Sequence, residues 1–404
     1  MTRFESAAGR VAEQSSAGQV HRRRAVGGGR SVAVQSPIPV PVLAPVVLFI
    51  LALAGPPALP AQAENGWIGT RVVQKYPGFQ LRIENQAIDP KLILTYVVEQ
   101  ANGPWLWLKS ESEGISGWAA ADQVVPVEDA IAFFTDYIRA NPGDDWGYLM
   151  RSIIWLEKKE IDIALGDLNE AIRLDPTGAY LWHGRGNAWQ AKKEYDRAAA
   201  DYGEAIRLDP KNSLAYMSRG LSWWDKKEYD RAAADYGDAI RLDPKNAHAY
   251  YGQAMTLLLA RRKGAADSAR AGLEAGGWRG YWPIYTVIVG HLAALQAGDG
   301  DRAKALLDST AARCDRETWP YPIVRHLRGE LDEPGLLAAA TDDDKRTEAH
   351  NYVGIAMLLK GRKEAARKHF EWVKKHGVSS NYSYTIAMAE LERLEEKPRA
   401  AGRP

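Results

Sequence analysis

The sequence predicts an α+β multidomain chain, a small all-β barrel followed by an all-α solenoid of helix hairpins. Three observations predict it. Pro142, Pro176, Pro210 and Pro244 recur every 34 residues, a period that marks stacked helix pairs. Residues 192–212 and 226–246 are identical except for Glu204 in one and Asp238 in the other. Residues 66–127 have a different texture, with short β-branched and aromatic runs broken by turn-formers.

The chain begins with a segment that reads as an export signal. Arg22, Arg23, Arg24 and Arg30 precede the apolar run 46–54, and Ala61-Gln62-Ala63 offers the small-x-small pattern of a cleavage site. The run is short for a permanent span. Residues 1–63 are therefore expected to be a signal peptide with a long basic leader, cleaved after Ala63. The alternative is an uncleaved signal anchor, the one route by which the chain would meet a membrane. The expected location is the periplasm or cell envelope. Without residues 1–63, which hold six Arg and two Glu, the remainder carries 46 basic against 49 acidic side chains, a net of −3. That balance disfavours nucleic acid as a partner. A single cysteine, Cys314, leaves no intramolecular disulfide to staple the fold.

Within 66–127 the runs Arg71-Val72-Val73, 93–100 and 105–109 read as strands, punctuated by Pro77-Gly78, Asn102-Gly103-Pro104, Glu113-Gly114 and Ser116-Gly117. Strand alternation puts Trp105 and Trp107 on one face and Leu106 and Leu108 on the other. About five strands are expected. Asn102-Gly103-Pro104-Trp105, Gly117-Trp118, Ala121-Asp122 and Val124-Val125 resemble the recurring end of the bacterial SH3-like domain; the part through Asp89-Pro90 is less typical of it.

From about residue 129 the pattern is helical. The unit 179–212 carries Trp182, Gly186, Trp189, Ala198, Tyr202, Ala205 and Pro210. The unit 213–246 carries Tyr216, Gly220, Trp223, Ala232, Tyr236, Ala239 and Pro244. The small residues allow close helix approach, the aromatics fill the remaining space, and Pro redirects the chain. These positions resemble the tetratricopeptide repeat, with the systematic departure that Arg185 and Arg219 stand where its pattern has Leu. The resemblance implies a right-handed superhelix of hairpins. A looser unit occupies 145–178, and 247–276 keeps Tyr250, Ala254 and Ala266. Ala130, Phe134 and Pro142 reproduce the spacing of a second helix, so 129–142 reads as a half-repeat with the barrel fused directly in front. The array thus runs over 129–278. Residues 279–395 are read as a degenerate repeat-like region, with a helix pair at 282–316, an irregular stretch around Pro320, Pro322 and Pro334, a pair at 347–378 and a capping helix near 384–395. Residues 396–404 are read as a disordered tail.

No catalytic signature survives inspection, so a non-enzymatic chain is expected. Gly114-Ile115-Ser116-Gly117 breaks the nucleophile elbow, and the sequence holds no Gly-Lys-Ser/Thr phosphate loop and no HExxH. The histidines fall at no ligand spacing, and neither a metal nor a cofactor is expected.

Binding is what remains. The repeat resemblance implies a concave groove lined by Trp146, Leu149 and Ile153; then Tyr180, His183 and Asn187; then Met217, Leu221 and Trp224; then His248, Tyr251 and Met255. Such an aromatic and thioether lining suits apolar side chains of a partner peptide, although packing between repeats would use the same residues. A carboxylate clamp is disfavoured, because its lysine position holds Leu149, His183, Met217 and Tyr251. Arg151, Arg185 and Arg219 recur beside Asp167, Asp201 and Asp235, which suggests a ladder of ion pairs rather than an anion site. The Lys-Lys-Glu triplets at 158, 192 and 226 read as solvated turns. Trp105, Trp107 and Trp118 form a candidate ligand face of the barrel, to be covered by the adjacent half-repeat, a partner or a ligand. The expected function is a protein-interaction adaptor of the bacterial cell envelope. The alternative is a peptidoglycan-binding accessory protein that uses the barrel.

Overall fold

The computed structural model describes residues 66–395 except 84–85, 89–94, 111–114, 278–281, 312, 314–315, 317–318 and 380. The segment 1–63 expected to be a signal peptide, Asp89-Pro90, Glu113-Gly114, Cys314 and the tail 396–404 lie outside the described residues. Among those described, seven strands precede sixteen α-helices. None of these helices is long and apolar enough to cross a membrane.

The strands are β1 (Arg71–Gln74), β2 (Leu81–Ile83), β3 (Gln86–Ile88), β4 (Tyr96–Asn102), β5 (Trp105–Ser110), β6 (Ser116–Ala120) and β7 (Val124–Pro126). They pair antiparallel in the order β3-β2-β6-β5-β4-β1-β7. This exceeds the expected five, because β2 and β3 are three residues each and too short to show alternation in sequence. Leu106 and Leu108 are fully buried with Val72, Phe79, Leu81, Tyr96 and Val98, while Trp105 and Trp107 take the opposite face, as a period of two requires.

Helix α1 (Val127–Ala140) follows β7 without a linker. Val73 and Val125 share one buried cluster with Ala130, Phe134, Leu149 and Met150, so sheet and first helices have a common core. The following helix pairs are α2 (Asp145–Glu157) with α3 (Ile161–Leu174), α4 (Ala179–Ala191) with α5 (Tyr195–Leu208), α6 (Ser213–Asp225) with α7 (Tyr229–Leu242), and α8 (Ala247–Leu259) with α9 (Ala265–Gly276). A Cβ on Gly186 would sit 2.6 Å from the Tyr202 ring, which is why that position must stay small.

Two ladders run along the array. Within pairs, Arg151, Arg185 and Arg219 grip Asp167, Asp201 and Asp235 with two hydrogen bonds each at 2.7–2.9 Å. The aspartates are nearly buried, so the arginine row is occupied internally rather than offered to an anion. Between pairs, Lys192 reaches Asp162 at 2.5 Å, Lys226 meets Asp196, and Arg262 meets Asp230 at 2.8 Å. The first lysine of the second and third triplets thus joins neighbouring units instead of merely facing solvent. The second lysine, at 159, 193 and 227, holds the left-handed turn conformation with φ of 63°.

The remaining helices are α10 (Trp282–Gln296), α11 (Gly300–Ala311), α12 (Tyr321–Leu327), α13 (Glu333–Ala339), α14 (Asp343–Leu359), α15 (Lys363–His376) and α16 (Tyr382–Glu395). The stretch expected to be irregular contains α12 and α13. Pro322 and Pro334 stand in their first turns, where a missing N–H costs nothing. Gly354 packs against Phe370 as Gly186 does against Tyr202.

Helix α16 packs on α14 and α15 and also reaches back to the third and fourth units. Tyr382 meets Trp224, Glu390 pairs with Arg261 at 2.7 Å, Glu392 pairs with Lys227, and Arg393 lies over the Tyr229 ring. The C-terminal helices therefore close over part of the concave face.

Candidate partner-binding groove

The first helix of each unit supplies the groove, and its lining divides into three zones. At the N-terminal end Trp146 is buried and its indole N–H donates to the Lys75 carbonyl at 3.0 Å. This corrects its assignment as an open groove residue: it seals the joint between sheet and helices. Leu149 is buried in the same cluster.

The middle zone is more open. Tyr180 is 47% exposed and donates from its hydroxyl to Asp145 at 2.5 Å. His183 contacts Ser218 Oγ through Nε2 at 3.1 Å, and its ring lies 5.3 Å from that of Tyr202. The Tyr202 hydroxyl donates to Asn187 Oδ1 at 2.7 Å. His183 and Asn187 thus belong to a polar network joining the second and third units, while Asn187 also stays exposed. Burial holds the His183 imidazole neutral, with its pKa pushed down to about 4.

The third zone is a recess of about 170 Å³ lined by Met217, Leu221, Trp224, Tyr251 and Met255, together with Tyr382 and Ile386. Six residues assigned from sequence converge there from two units, these five and His248. Trp224 and Met255 are only 4% exposed. Tyr251 packs against the core and bonds to the hydroxyl of Tyr352. Trp224 and Tyr251 are therefore walls of the recess and part of the core, not free anchors in an open groove. The reason is α16, whose Tyr382 lies edge-on to Trp224 at 5.6 Å. The sequence reading missed Tyr382 and Ile386, as well as Tyr236 from the paired helix. Tyr236 was visible as the aromatic of its repeat, whereas no local signal ties Tyr382 to a unit so far upstream.

On the sheet, Trp107 and Trp118 lie edge to face at 5.4 Å and Arg82 sits over Trp105 at 5.4 Å. All three tryptophans are half-buried. Helix α1 packs instead on β1 and β7, so of the three covers expected for this face the half-repeat is not the one used. No group of three or more His, Cys, Asp or Glu side chains among the described residues is arranged to hold a metal ion.

The tetratricopeptide repeat profile matches residues 179–212, and a second tetratricopeptide repeat profile matches 219–277. Tetratricopeptide repeats thus account for these two stretches of the chain. The matched residues contain the middle zone and most of the walls of the recess.

Several solved structures resemble the chain at low identity. YrrB, described as having an unusual peptide-binding site, is 19% identical over 49% of this chain and 98% of that one, with a TM-score of 0.39. A tetratricopeptide repeat protein from Parabacteroides merdae is 14% identical over 61% of this chain and 98% of that one, with a TM-score of 0.43. PilF of Pseudomonas aeruginosa is 17% identical over 50% and 90%, with a TM-score of 0.41. No curated protein matches the chain in sequence.

Proposed function

We propose that this protein is a non-enzymatic adaptor of the cell envelope that holds a segment of a partner protein along Tyr180, His183, Asn187, Met217 and Leu221. The observation that carries the reading is the recess: Met217, Leu221, Trp224, Tyr251 and Met255, contributed by two repeats, converge on one concave pocket. A ridge of half-exposed residues leads to it from Tyr180. Export rests on the apolar run and the Ala61-Gln62-Ala63 site. Affinity capture from an envelope extract tests the adaptor role, comparing the native chain with Leu221→Trp, which plugs the recess. A partner retained by the native chain and lost by the variant at unchanged helicity is expected. Equal retention by both overturns the use of this groove.

A second reading rests on the sheet. The face bearing Trp105, Trp107 and Trp118 is left half-exposed by the helices, and an aromatic surface suits a cell-wall glycopeptide. Sedimentation with purified peptidoglycan, lost on Trp105→Ala with Trp107→Ala but kept by Leu221→Trp, would support it. Sedimentation unaffected by the tryptophan pair would remove it.

A further inference from the structure

The recess has a charge environment that its lining alone does not reveal. Its walls are mainly aromatic and thioether, with Trp224, Tyr236, Tyr251 and Tyr382 around Met217 and Met255; Ser218 and His248 are its polar members, and no Lys or Arg is among the lining residues. Two desolvated carboxylates stand just behind those walls. Asp225 follows Trp224 in the chain, and its field reaches the Tyr236 and Tyr382 hydroxyls. Glu348 acts in the same way on Tyr251.

Both carboxylates are held by neutral donors. Asp225 accepts from the Gln190 side-chain amide. Glu348 accepts from the Tyr285 hydroxyl and the Trp319 indole, each at 2.6 Å, and from Asn381. Among the described residues neither takes part in an ion pair, while Lys193 acts on Asp225 only through space. Burial accordingly raises both carboxyls, that of Asp225 to about 6. A buried carboxylate without a cation is costly, and the cost falls if a cation arrives with a ligand.

We propose that the recess is a receptor for one cationic side chain, lysine or arginine, presented by the partner segment. This rests on the adaptor reading and gives its ligand a chemistry. The volume of about 170 Å³ compares with the roughly 150 Å³ cavity that accepts a benzene ring, a space also suited to a four-carbon stem and its head. The stem lies along Met217, Leu221 and Met255, as long cationic side chains cover apolar surface. The charged head meets the faces of Trp224 and Tyr382, where the ring quadrupole attracts it, in the field of Asp225.

The test uses the full chain labelled at its methionine methyl groups, so that Met217 and Met255 report occupancy by NMR. The probes are Ac-Ala-Ala-Lys-Ala-Ala-NH2 and the same peptide with Phe or Glu at the centre. Saturable shifts of both methyls are expected with the Lys peptide, at least fivefold tighter than with Phe, and none with Glu. Asp225→Asn should weaken the Lys peptide about fivefold and leave the Phe peptide unchanged; its unliganded methyl spectrum shows whether the fold is retained. Tighter binding of the Phe peptide makes the recess an apolar anchor site and overturns the proposal. Absence of any shift overturns it as well. Neither result touches the adaptor reading, which is decided by partner capture with Leu221→Trp.

Discussion

Trp224, in the third repeat, and Tyr382, in the last helix, meet edge to face with ring centroids 5.6 Å apart. The contact ties the C-terminal helix to the concave side of the array and forms one wall of its recess. An edge-to-face pair contributes about 0.5–1.5 kcal/mol beyond the area it buries. A double-mutant cycle of Trp224→Ala and Tyr382→Ala, read by chemical denaturation, should return a coupling in that range. Trp224→Ala alone should cost about 3–5 kcal/mol, since it empties a buried aromatic site. Additive effects would mean that the last helix does not seat on the third repeat.

The glycines at the helix crossings differ in how much they tolerate. A Cβ at Gly186 would meet the Tyr202 ring at 2.6 Å, whereas at Gly220 the nearest atoms are 3.3 Å away. Gly186→Ala should therefore destabilise by about 1–3 kcal/mol, and Gly220→Ala by clearly less. Gly220→Leu, with its larger side chain, should destabilise as well. Equal melting temperatures of the two alanine variants would contradict these crossing distances.

The Arg185–Asp201 pair stands where a repeat of this family has a leucine on the first helix. Arg185→Leu leaves Asp201, 6% exposed, without its two-pronged partner, and should cost about 3 kcal/mol. Adding Asp201→Ala should recover most of that loss, because no buried charge is then left unpaired. Failure of the double variant to recover would show that the arginine acts mainly through its contact with the Trp182 ring, 4.7 Å away.

Acid should weaken the fold through its buried imidazoles. His183 and His350 both have pKa values pushed down to about 4 by burial, below the unfolded value of about 6.5. The unfolded chain therefore binds more protons in this window, so stability is full above about pH 6.5 and falls as pH drops towards 4. Asp225 opposes this. Its pKa is raised, so the folded state gains relative stability as pH falls from about 6 towards the unfolded Asp value. Asp225→Asn should thus steepen the acid loss while stabilising the chain by about 1 kcal/mol at neutral pH, allowing for screening of a partly exposed group. Urea midpoints across this pH range for both chains check the sign.

The repeat units were legible in the sequence because each is a local device. Hairpin helices need only the small-aromatic-proline spacing within 34 residues, and the Arg–Asp ladder follows from two rows sharing that period. Alternation within 105–108 likewise decided which face of the sheet is core. The short strands β2 and β3 were not legible, since three residues carry no periodicity. Nor was the fate of Trp146, whose burial depends on a carbonyl at Lys75. Sequence alone determined the fold class, the repeat register and the residues on the first-helix faces, all set by contacts within one or two adjacent elements. Only the tertiary structure decided which of those faces remain open. That depends on Tyr382 and Ile386 meeting Trp224 and Met255 around one recess, a packing of residues more than a hundred positions apart in the chain, which no local spacing records.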